Sequence, residues 1–250
     1  MLREQVRAIL LFSAVFASGA TFSIAAEAES FDKPLQGEVV DLGPSPYVMP
    51  TRHIKLTCSY YPTFMVKELN DPGNKGALLI ATVPVQPGHI PKCTRDHQPN
   101  ERVFKDWDGY FAGVKRNLLF LNASDGNGGG LPFAAFDPKT GTKVFEDSVM
   151  LRKGGERYIG FVQTSDSQIT LRYTRVVIAD CSIPARGAVC WAKLKEKAGL
   201  QNAPMPKCTD YPGAEAGKAP SVIGYPVEVV LFPKPSIRAL GNPVKCWPSE

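Results

Sequence analysis

The chain has 250 residues, of which 44% are hydrophobic and 21% charged, and its formal net charge at pH 7 is +5. These proportions are typical of globular proteins and exclude general disorder. Glycine and proline, 22 of each, are too frequent for a helical bundle, and the absence of a lysine/arginine block gives no support for a nucleic-acid partner.

The N-terminal segment, residues 1–26, has the pattern of a secretory signal peptide. Two arginines precede an apolar run at 8–17, and small residues follow it. We expect cleavage between Ala25 and Ala28. The apolar run is too short for a membrane anchor, and no later segment reaches the length of a span. The sequence therefore predicts an exported bacterial protein, periplasmic or secreted, with no membrane span in the mature chain.

The mature chain is predicted to have a polar leader and one domain. Residues 27–56 are polar and proline-rich and hold one candidate strand at 37–42. No change in composition marks a linker after them, so residues 57–250 are predicted to form a single β-rich domain.

The domain begins with hairpins. Apolar runs at 64–69 and 77–84 flank a polar turn with a Pro-Gly pair and predict the first hairpin, and 86–106 is a long polar loop. Four short strands follow within 108–148, predicted at 109–114, 117–122, 131–136 and 142–146. The stretch FAAFDPKTGTKVFED, residues 133–147, resembles the Asp-x-x-Thr-Gly turn of many β-propeller blades, and the resemblance implies a propeller-like arrangement.

The C-terminal half is predicted to contain a further hairpin, one helix and one long strand. Apolar and polar residues alternate in the second strand of the hairpin formed by 158–163 and 169–178. The helix is predicted over 188–198 from its single apolar face. Residues 222–232 form a strand in which Pro226 favours the edge of a sheet.

About nine strands against one short helix predict an all-β fold, a single antiparallel domain of hairpins and meanders. Two architectures are compatible with this pattern. The propeller-like arrangement is favoured, and a disulfide-laced β-sandwich is the alternative.

Six cysteines in an exported chain predict up to three disulfides. We predict that neighbours along the chain pair, and the bonds are then Cys58–Cys93, Cys181–Cys190 and Cys208–Cys246. The middle bond has the best support, because residues 183–187 supply a chain reversal between its cysteines.

A metal site is the alternative interpretation of one cysteine. His89, Cys93 and His97 recur every four residues, and imidazole with thiolate is a ligand set for zinc or copper. Pro87 and Pro91 interrupt this segment, and an exported cysteine is more often oxidised than metal-bound. A loop that carries a disulfide is therefore favoured over the metal site.

Two carboxylates flank an aromatic residue at Asp106, Trp107 and Asp108. On a strand both carboxylates would share a face. With Trp107 and Tyr110 as ligand-binding aromatics, such a group would suit glycan binding or hydrolysis. The competing interpretation is a solvated turn beside a core tryptophan.

The glycine-rich segment near residue 126 offers a calcium site as a hypothesis. Asn122, Asp125 and Asn127 place oxygen ligands close together. No closing glutamate follows at the spacing of a calcium loop, so a plain hairpin loop is favoured.

The motifs of serine hydrolases, zinc proteases, thiol redox proteins and phosphate-binding loops are absent from the sequence, and no cofactor is predicted. We therefore predict a non-enzymatic, disulfide-stabilised binding module for an envelope component, a glycan or a protein. The alternatives are a secreted glycan hydrolase that uses Asp106 and Asp108, and a metal-binding protein that uses His89, Cys93 and His97.

Overall fold

The structure, a computed structural model, describes residues 30–49, 51–151, 159–165, 168–211, 218–241 and 243–249. The predicted signal peptide, residues 1–26, lies outside these residues. The described chain forms two antiparallel sheets and one helix. This confirms the predicted all-β class.

The first sheet is a five-stranded meander whose strands follow one another in chain order. Its strands are β1 (Gln36–Pro44), β2 (His53–Tyr60), β3 (Phe64–Asn70), β4 (Leu79–Pro84) and β5 (Arg102–Val103). The strand predicted at 37–42 lies within β1, whereas β2 was not predicted, because it begins inside the segment assigned to the leader.

The second sheet has nine described strands, in the order β13-β12-β11-β9-β8-β7-β6, with β10 beside β11 and β14 beside β12. These strands are β6 (Gly109–Lys115), β7 (Leu118–Ala123), β8 (Gly130–Phe136), β9 (Lys143–Met150), β10 (Gly160–Ser165), β11 (Gln168–Ile178), β12 (Ser221–Val230), β13 (Ser236–Ala239) and β14 (Lys245–Pro248). Strands β9 and β11 meet at one register pair, Val149 with Arg175. This sheet therefore divides almost completely into two layers, β6–β9 and β10–β14.

Strand β7 of the layer β6–β9 contributes to a core on each of its faces, since alternate residues of a strand point to opposite sides. Leu119 and Leu121 of β7 pack against the first sheet. Leu118 and Phe120 of the same strand belong to a second core, shared with β10–β12 and the helix. Phe31, from the predicted leader, packs edge-to-face on Phe120 at 5.4 Å between ring centroids.

Face-to-face packing of successive meanders is common to β-sandwiches and propeller blades. The two-sheet arrangement is thus compatible with both architectures, and the propeller-like arrangement stays a prediction.

A third core lies on the other face of the first sheet, beneath the long loop predicted at 86–106. The Cys58–Cys93 disulfide ties this loop to β2. The ammonium of Lys67 donates to Glu101 Oε2 at 3.0 Å, and both side chains are almost fully buried. A buried charge is stable only when it is paired and hydrogen-bonded, so this ion pair holds the loop at a defined position.

Helix α1 (Ile183–Ala198) begins five residues before the predicted start. Ser182 is the N-cap and Pro184 lies in the first turn, where a proline costs no hydrogen bond. Gly187, with φ of 45°, interrupts the helical backbone. The chain reversal predicted at 183–187 has the form of a first helical turn with a break at Gly187, and the Cα atoms of Cys181 and Cys190 lie 5.9 Å apart.

The predicted edge position of the strand that contains Pro226 is wrong. Strand β12 lies inside the sheet, and Pro226 faces Thr174 of β11. On its other side, β14 pairs with Ser221–Gly224 and β13 with Val227–Val230. The carbonyl of Pro226 accepts a hydrogen bond from Leu240 N on that side. The nitrogen of Pro226 has no hydrogen to donate, and it lies between the segments of β12 that pair with β14 and with β13.

Three disulfides are present, Cys58–Cys93, Cys181–Cys190 and Cys208–Cys246, and the described residues include no free cysteine. This pairing is the one predicted from the order of the cysteines. None of the described helices has the length and apolar character needed to cross a bilayer.

Candidate functional site

A cleft of about 840 Å³ opens where the first sheet and β6 diverge. One wall is formed by β1–β3 and by the turn after β3, and the opposite wall by Tyr110 and Phe111 of β6. The cleft continues the core between the two sheets, but its walls are polar. We call it the inter-sheet cleft.

The polar wall results from a change of side-chain type along one face of β3. Phe64 and Val66 point into the core between the sheets. Glu68 and Asn70 follow on the same face, because side chains alternate along a strand. The register places Thr57 opposite Glu68 and Lys55 opposite Asn70, so β2 supplies polar neighbours to both.

Glu68 links the two walls of the cleft. Its Oε1 accepts a hydrogen bond from Phe111 N at 2.8 Å. Burial raises the pKa of the Glu68 carboxyl, and the hydrogen bonds from Phe111 N and the Asn70 side chain offset this only in part. The neutral acid is therefore favoured more here than in an exposed glutamate.

Asn70 has an unused acceptor. Its Oδ1 is buried and accepts no hydrogen bond from any part of the chain that the structure describes. An unsatisfied buried acceptor costs about 1–3 kcal/mol. A ligand that donated a hydrogen bond to this oxygen would remove that cost.

An Asp–His pair stands at the rim of the cleft. His53 Nδ1 lies 2.7 Å from Asp41 Oδ2, and Gly43 N donates to Asp41 Oδ1 at 2.8 Å. The hydrogen bond from Gly43 N and the contact with His53 lower the pKa of the Asp41 carboxyl. Asp41 is thus an anion whose acceptors are already engaged.

Asp71 shapes the turn that borders the cleft. It is buried, and its Oδ1 accepts from Ser45 Oγ at 2.5 Å and from Gly73 N at 2.9 Å. These bonds join the turn after β3 to the end of β1. Asp71 therefore supports the wall of the cleft.

Two cations line the cleft without a carboxylate within 4.0 Å, although Lys55 lies opposite Asp41 in the strand register and its charge contributes to the lowered pKa of that carboxyl. Arg52 and Lys55 both border it. Among the described ion pairs, none within 4.0 Å includes either side chain. Their donors are available to a ligand.

The predicted aromatic and acidic candidates separate in the structure. Tyr110 lines the cleft, and its hydroxyl accepts from Gly76 N at 2.9 Å. Trp107 is half-buried: its indole N–H donates to Asn122 O at 3.1 Å, and its ring packs edge-to-face on Phe136. Asp106 and Asp108 are exposed, and neither lines the inter-sheet cleft.

The residues of the proposed metal site do not form one group. The sulfur of Cys93 is bonded to Cys58 and offers no thiolate. His97 lies 3.9 Å from Glu101 and borders a separate cleft, whereas His89 forms a tight turn with Gln86. Within the described ranges, no three side chains of the metal-binding types come together.

The residues of the calcium hypothesis have other partners. The Asp125 side chain pairs with Lys75 at 2.8 Å, whereas the contacts of the other two are made by the backbone: the main-chain carbonyl of Asn122 accepts from the Trp107 indole, and the main chain of Asn127 closes a turn with Gly130. The hydrogen bond from Lys75 lowers the pKa of the Asp125 carboxyl.

The glycines of this loop provide the surface against which Trp247 packs. The Trp247 indole N–H donates to Gly128 O at 3.0 Å, and the ring lies against Gly129, whose φ is +78°. The loop is rich in glycine because side chains there would strain the backbone and crowd its neighbours.

Glu68, Asn70, Arg52 and Lys55 were not identified from the sequence. A signal was available in β3. Glu68 and Asn70 occupy the positions that Phe64 and Val66 predict to be buried, and polar residues at buried positions often mark functional sites.

No family model, curated protein or solved structure shows a significant match to this chain.

Proposed function

We propose that the protein is an exported, disulfide-stabilised module that binds a glycan of the cell envelope in the inter-sheet cleft. The observation that carries the proposal is the row of polar groups where the core would continue, with the buried Asn70 Oδ1 left unsatisfied. Sugar hydroxyls both donate and accept hydrogen bonds, so they can satisfy this acceptor and the neighbouring polar groups together.

The shape of the site favours a glycan over a protein surface. A concave site of about 840 Å³ falls within the range of roughly 300–1,000 Å³ that is typical of small-ligand pockets. Tyr110, 39% exposed, adds an aromatic surface beside the polar groups. An aromatic face with surrounding donors and acceptors suits the apolar and hydroxylated faces of a sugar ring.

Asn70→Leu is the variant that tests this proposal. Leucine has a similar shape but accepts no hydrogen bond, so the variant loses the acceptor without opening a cavity. We expect the affinity for the bound glycan to fall about tenfold, because one hydrogen bond to the ligand is lost. The stability of the free protein should change little, because removal of the unsatisfied acceptor offsets the loss of the hydrogen bond from the Asn70 amide to Glu68. Isothermal titration with soluble fragments of bacterial cell-wall and capsular polysaccharides measures the affinity.

Asn202→Leu is the matched control, because Asn202 is exposed and does not line the cleft. It should bind as the wild type does. The proposal fails if no glycan binds, or if Asn70→Leu binds the active fragment as tightly as the wild type.

A further inference from the structure

We propose that the inter-sheet cleft selects glycans that carry a carboxylate, and that Arg52 and Lys55 bind this group. The inference rests on the proposed glycan-binding function and specifies the class of sugar, an acidic one such as a uronic acid.

Some polar groups that line the cleft already have hydrogen-bond partners within the protein. Asp41 accepts from His53 and from Gly43 N. Glu68 accepts from Phe111 N, and Asp71 accepts from Ser45 Oγ and Gly73 N. Each carboxylate that lines the cleft therefore has donors within the protein.

The two cations differ from the carboxylates. Arg52 and Lys55 make no ion pair within 4.0 Å in the described structure, and both are exposed at the cleft. The groups left for a ligand are thus cationic donors on β2 and the segment before it, together with one buried acceptor, Asn70 Oδ1. A ligand that matches them carries an anion and a nearby hydrogen-bond donor.

The cationic donors and the free acceptor lie near one another in the cleft. Lys55 lies directly opposite Asn70 in the register of β2 and β3. Side chains of directly opposed residues point to the same face, with Cβ atoms about 4.5–5.5 Å apart. In a hexuronic acid, the ring carbon that bears the carboxylate is bonded to C4, whose hydroxyl is free at the non-reducing end of a 1,4-linked chain. One such residue can therefore place its carboxylate on Lys55 and Arg52 and donate a hydroxyl to Asn70.

The charges that line the cleft favour a carboxylate over a phosphate. Asp41, Glu68 and Asp71 also line the cleft. A phosphate monoester carries nearly two negative charges at neutral pH and is repelled more strongly by these groups than a carboxylate with one charge.

The experiment compares one oligosaccharide in two forms. Oligogalacturonate and its fully methyl-esterified form have the same backbone, and only the first carries carboxylates. At low salt, titration calorimetry should show that the acid binds at least about tenfold more tightly than the ester. High salt should reduce this preference. In the double variant Arg52→Gln/Lys55→Gln, the affinity for the acid should be about the same as the affinity for the ester.

The matched control is Lys92→Gln/Arg95→Gln. It removes the same charge from two exposed residues of the loop that covers the opposite face of the first sheet. This variant should keep the preference for the acid.

Each other outcome overturns the inference. Equal affinity for acid and ester, binding of neutral glycans alone, or tighter binding of a phosphorylated oligosaccharide would overturn it, and the glycan-binding function would stand. Failure of every glycan in the panel would overturn both proposals.

Discussion

The pKa values of the Glu68 and Glu228 carboxyls are shifted in opposite directions by their surroundings. Burial raises the pKa of Glu68. Hydrogen bonds from Arg238, at 2.6 Å, and from Arg172 lower the pKa of Glu228. The first residue lines the inter-sheet cleft, whereas the second joins β11, β12 and β13 across their outer surface.

The two residues should therefore contribute to stability with opposite dependence on pH. The folded protein holds the proton of Glu68 more tightly than the unfolded chain, so this residue lowers stability as pH rises above its usual pKa of 4.5. We expect Glu68→Gln to gain stability relative to wild type between pH 4 and pH 7. Urea unfolding at a series of pH values measures the difference.

Glu228→Gln is the comparison of opposite sign. The contribution of Glu228 is present above pH 4.5 and is lost as pH falls through its lowered pKa. This variant should lose stability relative to wild type as pH rises. Differences that do not change with pH, or that share one sign, would contradict the assignment.

For single residues, the sequence predicts which side chains are polar but not which polar side chains come into contact. Glu68 and Asn70 are four and six residues after Phe64, yet their partners Phe111 and Lys55 come from β6 and β2. Sheet pairing brings these strands together, and pairing between distant strands is not encoded in a local pattern. Local pairs such as Asp106 and Asp108 were visible in the sequence, but neither lies in the cleft.

The hairpin β6–β7 depends on a close approach of its two strands at one glycine. A Cβ placed on Gly109 would lie 1.8 Å from Asn122 O. That carbonyl also accepts from the Trp107 indole. The tryptophan that the sequence indicated as a ligand platform therefore helps to fix the position of β7 relative to β6.

We expect Gly109→Ala to destabilise the protein by about 2 kcal/mol or more, because backbone atoms must shift to admit the methyl group. Gly37→Ala is the control within β1, where no atom lies within 4 Å of the added Cβ. It should change stability by no more than about 0.5 kcal/mol. Equal losses in thermal unfolding would show that the close approach at Gly109 is not specific.

Elements with strong alternation or clear turn residues were the ones that the sequence predicted. The strands at 64–69, 109–114 and 169–178 are present as β3, β6 and β11. The edge position of Pro226 was not correct, because the gap between β14 and β13 that accepts it exists only in the assembled sheet. The start of α1 was missed because Ile183–Gly187 has the composition of a turn.

At the scale of the whole molecule, the three disulfides hold different layers. Cys58–Cys93 fastens the long loop to the first sheet, Cys181–Cys190 lies within α1 and its N-terminal approach, and Cys208–Cys246 joins the chain after α1 to β14. The first and third close segments of 35 and 38 residues, and the second closes nine.

Paired replacement of each disulfide by two alanines should rank their contributions. The entropy of the unfolded chain predicts losses of about 4 kcal/mol for the two long segments and about 2.5 kcal/mol for the short one. One cysteine of each pair is at most 2% exposed, so the cost of the cavity is similar in all three variants. Urea unfolding tests the order, and a larger loss at Cys181–Cys190 would contradict it.

The three disulfides never cross one another along the chain, because each cysteine is bonded to its immediate neighbour among the six. A polypeptide that enters an oxidising compartment with its N-terminus first exposes Cys58 and Cys93 before Cys181 arrives. Each native partner is thus the first free thiol available at its own step. Of the 15 pairings that six cysteines allow, oxidation in order of emergence would yield the native one without later exchange of bonds.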